Sequence, residues 1–393
     1  MKIALIIDNF DLTRGGAERS VFEMARCFAQ LSHEVSIIAG EVNRPAENIE
    51  LIKIIECPRD GAGRAGKWQS FEQAVGHYLD QNSFDVIHSI PPLRQVQFYQ
   101  PRGGSISYNA DRYAESFGHP LAVQWKRLTG CLNTGRATRI KSEQALCQDG
   151  NGPHLVAVSH YVKEQFASVY GLDNSRVTVI ANGIETGEFQ SEISVAAGIR
   201  LRQELNGSQD RCLFLFAAEN PRLKGLNWLI RSVHKFHKSN GASKPPFTIL
   251  LIGNPKKYSG YARTIQRANL EGWFKFIGSV PSEKMPHYYH ACDAVVLPTY
   301  HDACSRVVME GLAAGKPAIT TRFNGARDFL DDGKNGIVLQ ATGDQEALGS
   351  ALMKLSDPQC RQYFLDAIQQ ANLIERLSMQ RHVKELIDLY EKQ

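Results

Sequence analysis

The sequence predicts an α/β protein built of two doubly wound parallel units. Apolar runs of strand length alternate with amphipathic helical runs, the pattern of parallel sheets covered by helices. The alternation restarts once, after a polar interval, and 393 residues exceed what one ordinary core holds. The first series comprises Lys2 to Ile7, Val35 to Ala39, Ile52 to Ile55, Val86 to Ser89, Val96 to Tyr99, Leu155 to Val158 and Val177 to Ile180. The second comprises Leu213 to Ala217, Phe247 to Ile252, Phe274 to Ile277, Ala294 to Leu297, Pro317 to Thr321 and Gly336 to Leu339. The interval with Gly187, Gln190, Ser191 and Ser194 reads as a linker. Residues 1–187 are therefore expected to form one unit and 188–374 the other, with a last helix within 375–393. No internal repeat or low-complexity segment interrupts this order.

Composition narrows the class. A formal charge of +4 on 393 residues points neither to a nucleic-acid partner nor to an acidic tail. The eight cysteines are scattered without a Cys-x-x-Cys pair, which argues against a zinc site or a redox dithiol and fits a reducing, cytoplasmic compartment. The opening run Lys2 to Ile7 is too short for a secretory signal, and no run is long enough to span a bilayer, so a soluble or peripheral protein is expected.

The most informative stretch runs from Tyr300 to Pro317. Pro298 and Thr299 end the buried run Ala294 to Leu297, Ser305 offers an N-cap, and the apolar residues that follow suit a helix packed on a sheet. Gly315 stops that helix, with Pro317 just beyond. Asp302 then falls in the loop at the carboxyl end of a parallel strand, where open α/β sheets bind ligands, and Glu310 lies about two turns along the helix. Between them, the backbone N–H groups of Ala303, Cys304 and Ser305 are placed to receive a phosphate.

An acidic residue, seven residues, Glu310 and then Gly-Leu-Ala-Ala-Gly-Lys-Pro resembles the signature of the retaining glycosyltransferases of family 4, which usually carry Glu at both ends; here Asp302 replaces the first. The resemblance covers nearly the whole chain. It implies the GT-B architecture, two Rossmann-like domains facing a cleft, with the last helix, Gln380 to Tyr390, returning to the first domain through Val383, Leu386, Ile387 and Tyr390. It also implies that Asn220-Pro221-Arg222-Leu223-Lys224-Gly225 is a basic diphosphate clamp. Arg222 and Lys224 would neutralise the departing nucleoside diphosphate, work done by a metal in other transferases, and no Asp-x-Asp metal motif is present. In Gly278-Ser279-Val280-Pro281, Val280 would meet the nucleotide base through its main chain. Asn182-Gly183-Ile184 resembles the hinge and Phe323-Asn324-Gly325 the glycine turn beyond the donor site. Gly15 and Gly16, between the opening strand and a helix striped with Val21, Phe22, Ala25 and Phe28, let the backbone approach a diphosphate or an acceptor; the same pair also serves a plain strand-to-helix turn.

The acceptor side is less legible. Arg102 could fix an acceptor phosphate or the donor, Asp111 could polarise an acceptor hydroxyl, and either could be a loop charge; His88 reads as a packed histidine. Residues 59–141 hold eleven Lys or Arg against six Asp or Glu, interleaved with Trp68, Tyr99, Tyr113, Phe117 and Trp125. That excess suits an anionic acceptor such as a phosphorylated lipid-linked glycan, or contact with an anionic membrane. Asp60 to Trp68 reads as a mobile loop able to close over such an acceptor.

The resemblance therefore implies transfer of a hexose, as with UDP-glucose, from a nucleotide sugar to a glycan or glycolipid without a metal or other cofactor. Among family members the chain looks most like lipopolysaccharide core glucosyltransferases, through the Arg-Leu-Lys-Gly turn and the basic segment after Gln100. Glu310 would hold the ribose and Asp302 the donor sugar hydroxyls. Two rivals share the fold: a nucleotide-sugar 2-epimerase, which would act without acceptor, and a non-catalytic nucleotide- or glycan-binding module, which would show no turnover. A dehydrogenase is disfavoured, because no Gly-x-Gly-x-x-Gly follows a strand.

Overall fold

The computed structural model describes residues 1–12, 16–43, 51–130, 132–206, 211–240 and 245–393. These residues divide into two compact units, one of Met1–Ala114, His119–Ile184 and Met379–Gln393, the other of Glu115–Gly118 and Glu185–Ser378. The interval read as a linker is helical: Gly187–Gln190 and Glu192–Asn206 are both helices of the second unit. Its polar residues are used in packing as well as at the surface, Ser194 being buried and Gln190 Nε2 donating to Ala313 O at 2.6 Å, and composition alone does not separate that use from a linker.

The first unit holds a seven-stranded sheet in the order Ile52–Glu56, Glu34–Ala39, Lys2–Ile7, Val86–Ser89, Phe98–Tyr99, His154–Ala157, Val177–Val179. The second holds a six-stranded sheet in the order Phe274–Gly278, Phe247–Ile252, Cys212–Ala217, Ala294–Val296, Ala318–Thr321, Gly336–Leu339. All neighbouring strands in both sheets run parallel. In each, the chain starts in the middle, winds to one edge, returns and winds to the other. The strand order reverses beside Lys2–Ile7 in one sheet and beside Cys212–Ala217 in the other, and ligands of open parallel sheets sit outside the carboxyl ends of strands at such points. The central strands are buried along nearly their whole length, as strands covered by helices on both faces must be.

The last helix, Met379–Tyr390, belongs to the core of the first unit: Met379, Val383, Leu386, Leu389 and Tyr390 join the cluster of Ile3, Leu5, Phe28 and Phe98. Tyr390 packs against Phe98 with the rings tilted and 4.7 Å between centroids, and its hydroxyl lies 2.7 Å from Nδ1 of His88. His88 is wholly buried, and that burial, reinforced by the charge of Arg102, lowers its pKa to about 3. It is a neutral packed histidine, as its strand-end setting implied.

Residues 60–68 are not a free loop. The helix Gly63–Gln81 begins within them, Trp68 is buried, and its indole N–H lies 3.3 Å from Ser142 Oγ on the helix Thr134–Gln148. The glycines that read as mobility allow close packing instead: a Cβ on Gly61 would stand 2.1 Å from the carbonyl oxygen of Gly66.

Candidate functional site

The second unit builds its site at the carboxyl end of Ala294–Val296. Three short segments meet there: the turn Asn220–Gly225, the loop Pro298–Ser305 and the turn Phe323–Gly325. The basic turn closes on itself through Lys224 N to Asn220 O at 3.1 Å and Gly225 N to Arg222 O at 3.0 Å. It docks on the loop through Tyr300 N, which donates to Leu223 O at 2.8 Å, and through the Thr299 hydroxyl, 3.1 Å from the same oxygen. Gly225 makes the docking feasible. Its φ is +84°, and a Cβ there would stand 2.0 Å from the backbone oxygen of Pro298.

Lys224 and Asp302, picked separately from the sequence, are ion-paired: Nζ lies 2.6 Å from Oδ2 of Asp302 and 3.2 Å from the carbonyl oxygen of His301. Both side chains are about one-fifth exposed, so the pair is neither solvated nor sealed. Arg222 is half-buried, its guanidinium 4.3 Å from the ring centroid of Phe117, which holds the charge over an aromatic face. Phe117 lies in Glu115–Gly118, the short segment that the second unit takes from the middle of the first.

Asp302 is also fixed by its backbone, which pairs with the Phe323–Gly325 turn: Asp302 N donates to Phe323 O at 2.9 Å, and Gly325 N donates to Asp302 O at 2.8 Å. The hub of this turn is the buried Asn324. Its Oδ1 accepts from Ser305 N at 3.2 Å and Ala326 N at 3.0 Å, and its amide donates to Thr320 Oγ1 at 2.8 Å. Ser305 occupies the N-cap position of Arg306–Ala313, but its side chain makes no capping hydrogen bond there. Sequence reasoning noticed Asn324 only as part of a glycine turn. Its role as the brace of the helix start depends on a neighbour nineteen residues away, which local pattern does not carry.

Glu310 faces a different environment. Oε2 accepts from the hydroxyl of Tyr289 at 2.8 Å, and Oε1 from Arg306 Nε at 3.2 Å. Tyr289 is fully buried; burial and the neighbouring carboxylate of Glu310 hold its hydroxyl well above the usual tyrosine range, so it stays a donor. A carboxylate has about four acceptor positions, so two remain for a ligand hydroxyl pair. The helix that carries Glu310 lies close to the sheet because of Gly311, where a Cβ would stand 2.5 Å from Val295 Cγ2, and it ends at Gly315 with φ +75°. Val280 is half-buried between Phe274–Gly278 and the short turn Ser282–Lys284, after Gly278 at φ +94°.

In the first unit, a cavity of about 490 Å³ opens at the carboxyl edge of the sheet, lined by Asp8, Arg102 and several further Arg and Lys side chains. Asp111 is not brought to it. Its side chain is 61% exposed and lies 3.1 Å from Arg127 Nε. The acid that does line the cavity, Asp8, follows the opening strand and was passed over because one Asp after an apolar run carries no signal of its own. Arg102 lies 3.0 Å from Asn182 Oδ1 and also meets Ser20, tying the expected hinge residue to the helix Gly16–Gln30. Gly16 is the exposed first residue of that helix; Gly15 lies outside the described residues.

Two family models match the chain in order, that of the glycosyltransferase family 4 over residues 14–95 and that of the group 1 glycosyl transferases over residues 199–389. An uncharacterized glycosyltransferase of Methanocaldococcus jannaschii is 24% identical over 60% of this chain, an alignment spanning only 59% of that relative. A D-inositol 3-phosphate glycosyltransferase of Corynebacterium kroppenstedtii is 25% identical, over 92% of this chain and 81% of its own length. Among solved structures, WaaG, a glycosyltransferase involved in lipopolysaccharide biosynthesis, superposes with a TM-score of 0.77 at 17% identity over all of both chains. HepE of Anabaena, in complex with UDP and glucose, does so with a TM-score of 0.72 at 16% identity, again over all of both chains. These likenesses establish the fold.

The turn geometry makes one residue decisive for the site. Gly225→Ala should cost about 1–3 kcal/mol from the positive φ alone, with more from the contact at Pro298, and should release Lys224 from Asp302. Denaturant unfolding measures the first effect; unchanged stability would show that the turn can lift away from the strand end at no cost.

Proposed function

The chain belongs to the glycosyltransferases of family 4 and has their GT-B fold, and from that premise we propose that it moves a hexose, as from UDP-glucose, to a glycan or glycolipid acceptor with retention and without a metal. The observation that carries this reading is that Arg222, Lys224 and Asp302 stand on two loops that meet at a parallel strand end, with Glu310 on the helix that follows. A complex of HepE with UDP and glucose supports the donor class, and the name of WaaG supports a lipopolysaccharide-type acceptor.

In this mechanism the diphosphate lies against Arg222 and Lys224, with backbone N–H groups at the start of Arg306–Ala313 beside it. Lys224 arrives pre-oriented by Asp302, so little reorganisation is needed when negative charge develops. Asp302, through the carboxylate oxygen not held by Lys224, takes donor sugar hydroxyls, and Glu310 takes the ribose. The bond from the sugar C1 to the phosphate oxygen breaks while the bond from C1 to the acceptor oxygen forms on the same face. The acceptor proton passes to the departing phosphate oxygen. No protein nucleophile is required, and the charge that a metal would neutralise falls to two side chains.

The helix Pro120–Gly130 supports a peripheral site of action. It buries none of its residues, and Leu121, Trp125 and Leu128, at the spacing of one helical face, are each at least 66% exposed, with Leu132 just beyond at 80%. Between residues 116 and 142 the sequence has five Lys or Arg and no Asp or Glu. An apolar stripe flanked by unbalanced positive charge fits the interface of an anionic bilayer. Among the described residues no helix is long and apolar enough to cross a membrane.

Two tests follow from the parts of this reading. Lys224→Ala and Arg222→Ala should each lower kcat on the order of a hundredfold or more, with UDP-glucose turnover in wild type surviving a chelator. Wild-type rates in both variants, or an absolute need for added magnesium or manganese, would contradict the clamp. Sedimentation with vesicles tests the surface: binding to vesicles containing phosphatidylglycerol should be lost in Trp125→Glu/Leu128→Glu and absent with phosphatidylcholine alone, whereas equal sedimentation of both proteins with both vesicles would exclude the helix as the contact.

A further inference from the structure

The cavity of the first unit is more strongly charged than transfer to a neutral sugar requires. Arg59, Arg64, Lys67, Arg102, Arg136 and Arg139 line it, and among the described residues Asp8 is its one acid. Apart from Arg102, which is held by Asn182 and Ser20, the cations fall into two sets. The inner pair is fixed: Asp8 lies 2.5 Å from Arg139 and 3.5 Å from Arg59, the Arg139 guanidinium lies over Trp68 at 4.9 Å, and that of Arg59 lies over Phe71 at 5.0 Å. Gly40 leaves the space that Arg59 crosses, since a Cβ there would stand 2.2 Å from Arg59 Nε.

The outer set, Arg64, Lys67 and Arg136, is different. No carboxylate pairs with any of the three among the described residues, although they line one cavity. Each belongs to the first turns of a helix: Arg64 and Lys67 to Gly63–Gln81, Arg136 to Thr134–Gln148, whose N-cap Asn133 also lines the cavity. The two helix starts are held in close approach by Gly135, where a Cβ would stand 2.6 Å from Arg64 Cβ. Two positive helix termini and three unpaired cations thus act on the same space, an arrangement that repels itself when empty and is relieved by an anion with two charges. The wall beside them is apolar, with Trp68, Ile90, Pro92 and Tyr99, a surface suited to a sugar ring rather than to a bare ion.

We propose that this cavity recognises a phosphate monoester on the acceptor, with Arg64, Lys67 and Arg136 taking the phosphate and the Trp68 side taking the ring that bears it. The inference rests on the transferase reading for the word acceptor, but the binding site itself does not. A phosphate monoester carries about −1.5 to −2 charges at neutral pH, which matches the unpaired set, and each guanidinium offers paired donors to its oxygens. The phosphate can belong to a soluble sugar phosphate or to a lipid headgroup, since the three cations see the same oxygens in either.

Calorimetric titration of the full chain with glucose 6-phosphate, with dihexanoylphosphatidic acid and with glucose decides the matter, because binding is read without turnover and does not depend on any transferase activity. At least one phosphate-bearing probe should bind ten or more times tighter than glucose, and the tighter of the two names the source. The triple variant Arg64→Gln/Lys67→Gln/Arg136→Gln, at exposed or half-buried positions, should lose about a hundredfold for that probe and keep its affinity for UDP within twofold, with an unchanged unfolding temperature as the control for folding. Equal affinity for glucose and both phosphates, or full retention of phosphate binding in the triple variant, would overturn the proposal. So would parallel loss of UDP affinity, which would reassign the cations to the donor.

Discussion

The second unit depends on how closely one turn approaches one strand end. Gly225 lies against the backbone oxygen of Pro298 at a distance that no side chain permits, and Lys224 and Asp302 meet across that contact. It brings Leu223 O onto Thr299 and Tyr300, which sets Lys224 on Asp302, which in turn is pinned through its backbone to the Phe323–Gly325 turn. These are mostly main-chain interactions. They fix side chains by fixing what carries them, so the site needs few residues that are diagnostic by type.

The two units manage charge in opposite ways. In the second, Lys224 is paired with Asp302, Glu310 is held by Arg306 and Tyr289, and Arg222 lies over the ring of Phe117. Such a site is stable when empty and yields one partner when a charged ligand arrives. In the first, three cations at the cavity rim have no carboxylate partner among the described residues. The difference suits the two ligands proposed. A leaving group gains charge during reaction and benefits from donors held in place beforehand, whereas a ground-state anion benefits from net charge alone.

Much of this was legible in the sequence where the period of the pattern is short. All thirteen expected strands of the two sheets form, at nearly the expected bounds, because buried parallel strands read as short apolar runs between turn residues. The strand-loop-helix around Asp302 and Glu310 was visible for the same reason, whereas the basic turn and the return of the last helix to the first unit were implied by the resemblance to family 4. What was missed depends on partners far apart in the chain. The supposed mobile glycine stretch at 60–68 is the tight start of a helix, because Gly61 and Gly66 meet each other and Gly135 meets Arg64. Asp111 looked functional from its place in a basic segment but points outward to Arg127, while Asp8, with no pattern around it, lines the cavity. Asn324 and Tyr289 orient the helix start and Glu310 through contacts nineteen and twenty-one residues away.

The central claim is that Arg222 and Lys224 face the diphosphate while Glu310 holds the ribose, all within the second unit. A crystal structure with an intact nucleotide sugar tests it most directly. The expected result places diphosphate oxygens about 3 Å from Lys224 Nζ and from the Arg222 guanidinium, with the ribose hydroxyls at a similar distance from Glu310. A nucleotide seated instead in the basic cavity of the first unit, with Lys224 still bound only to Asp302, would contradict it.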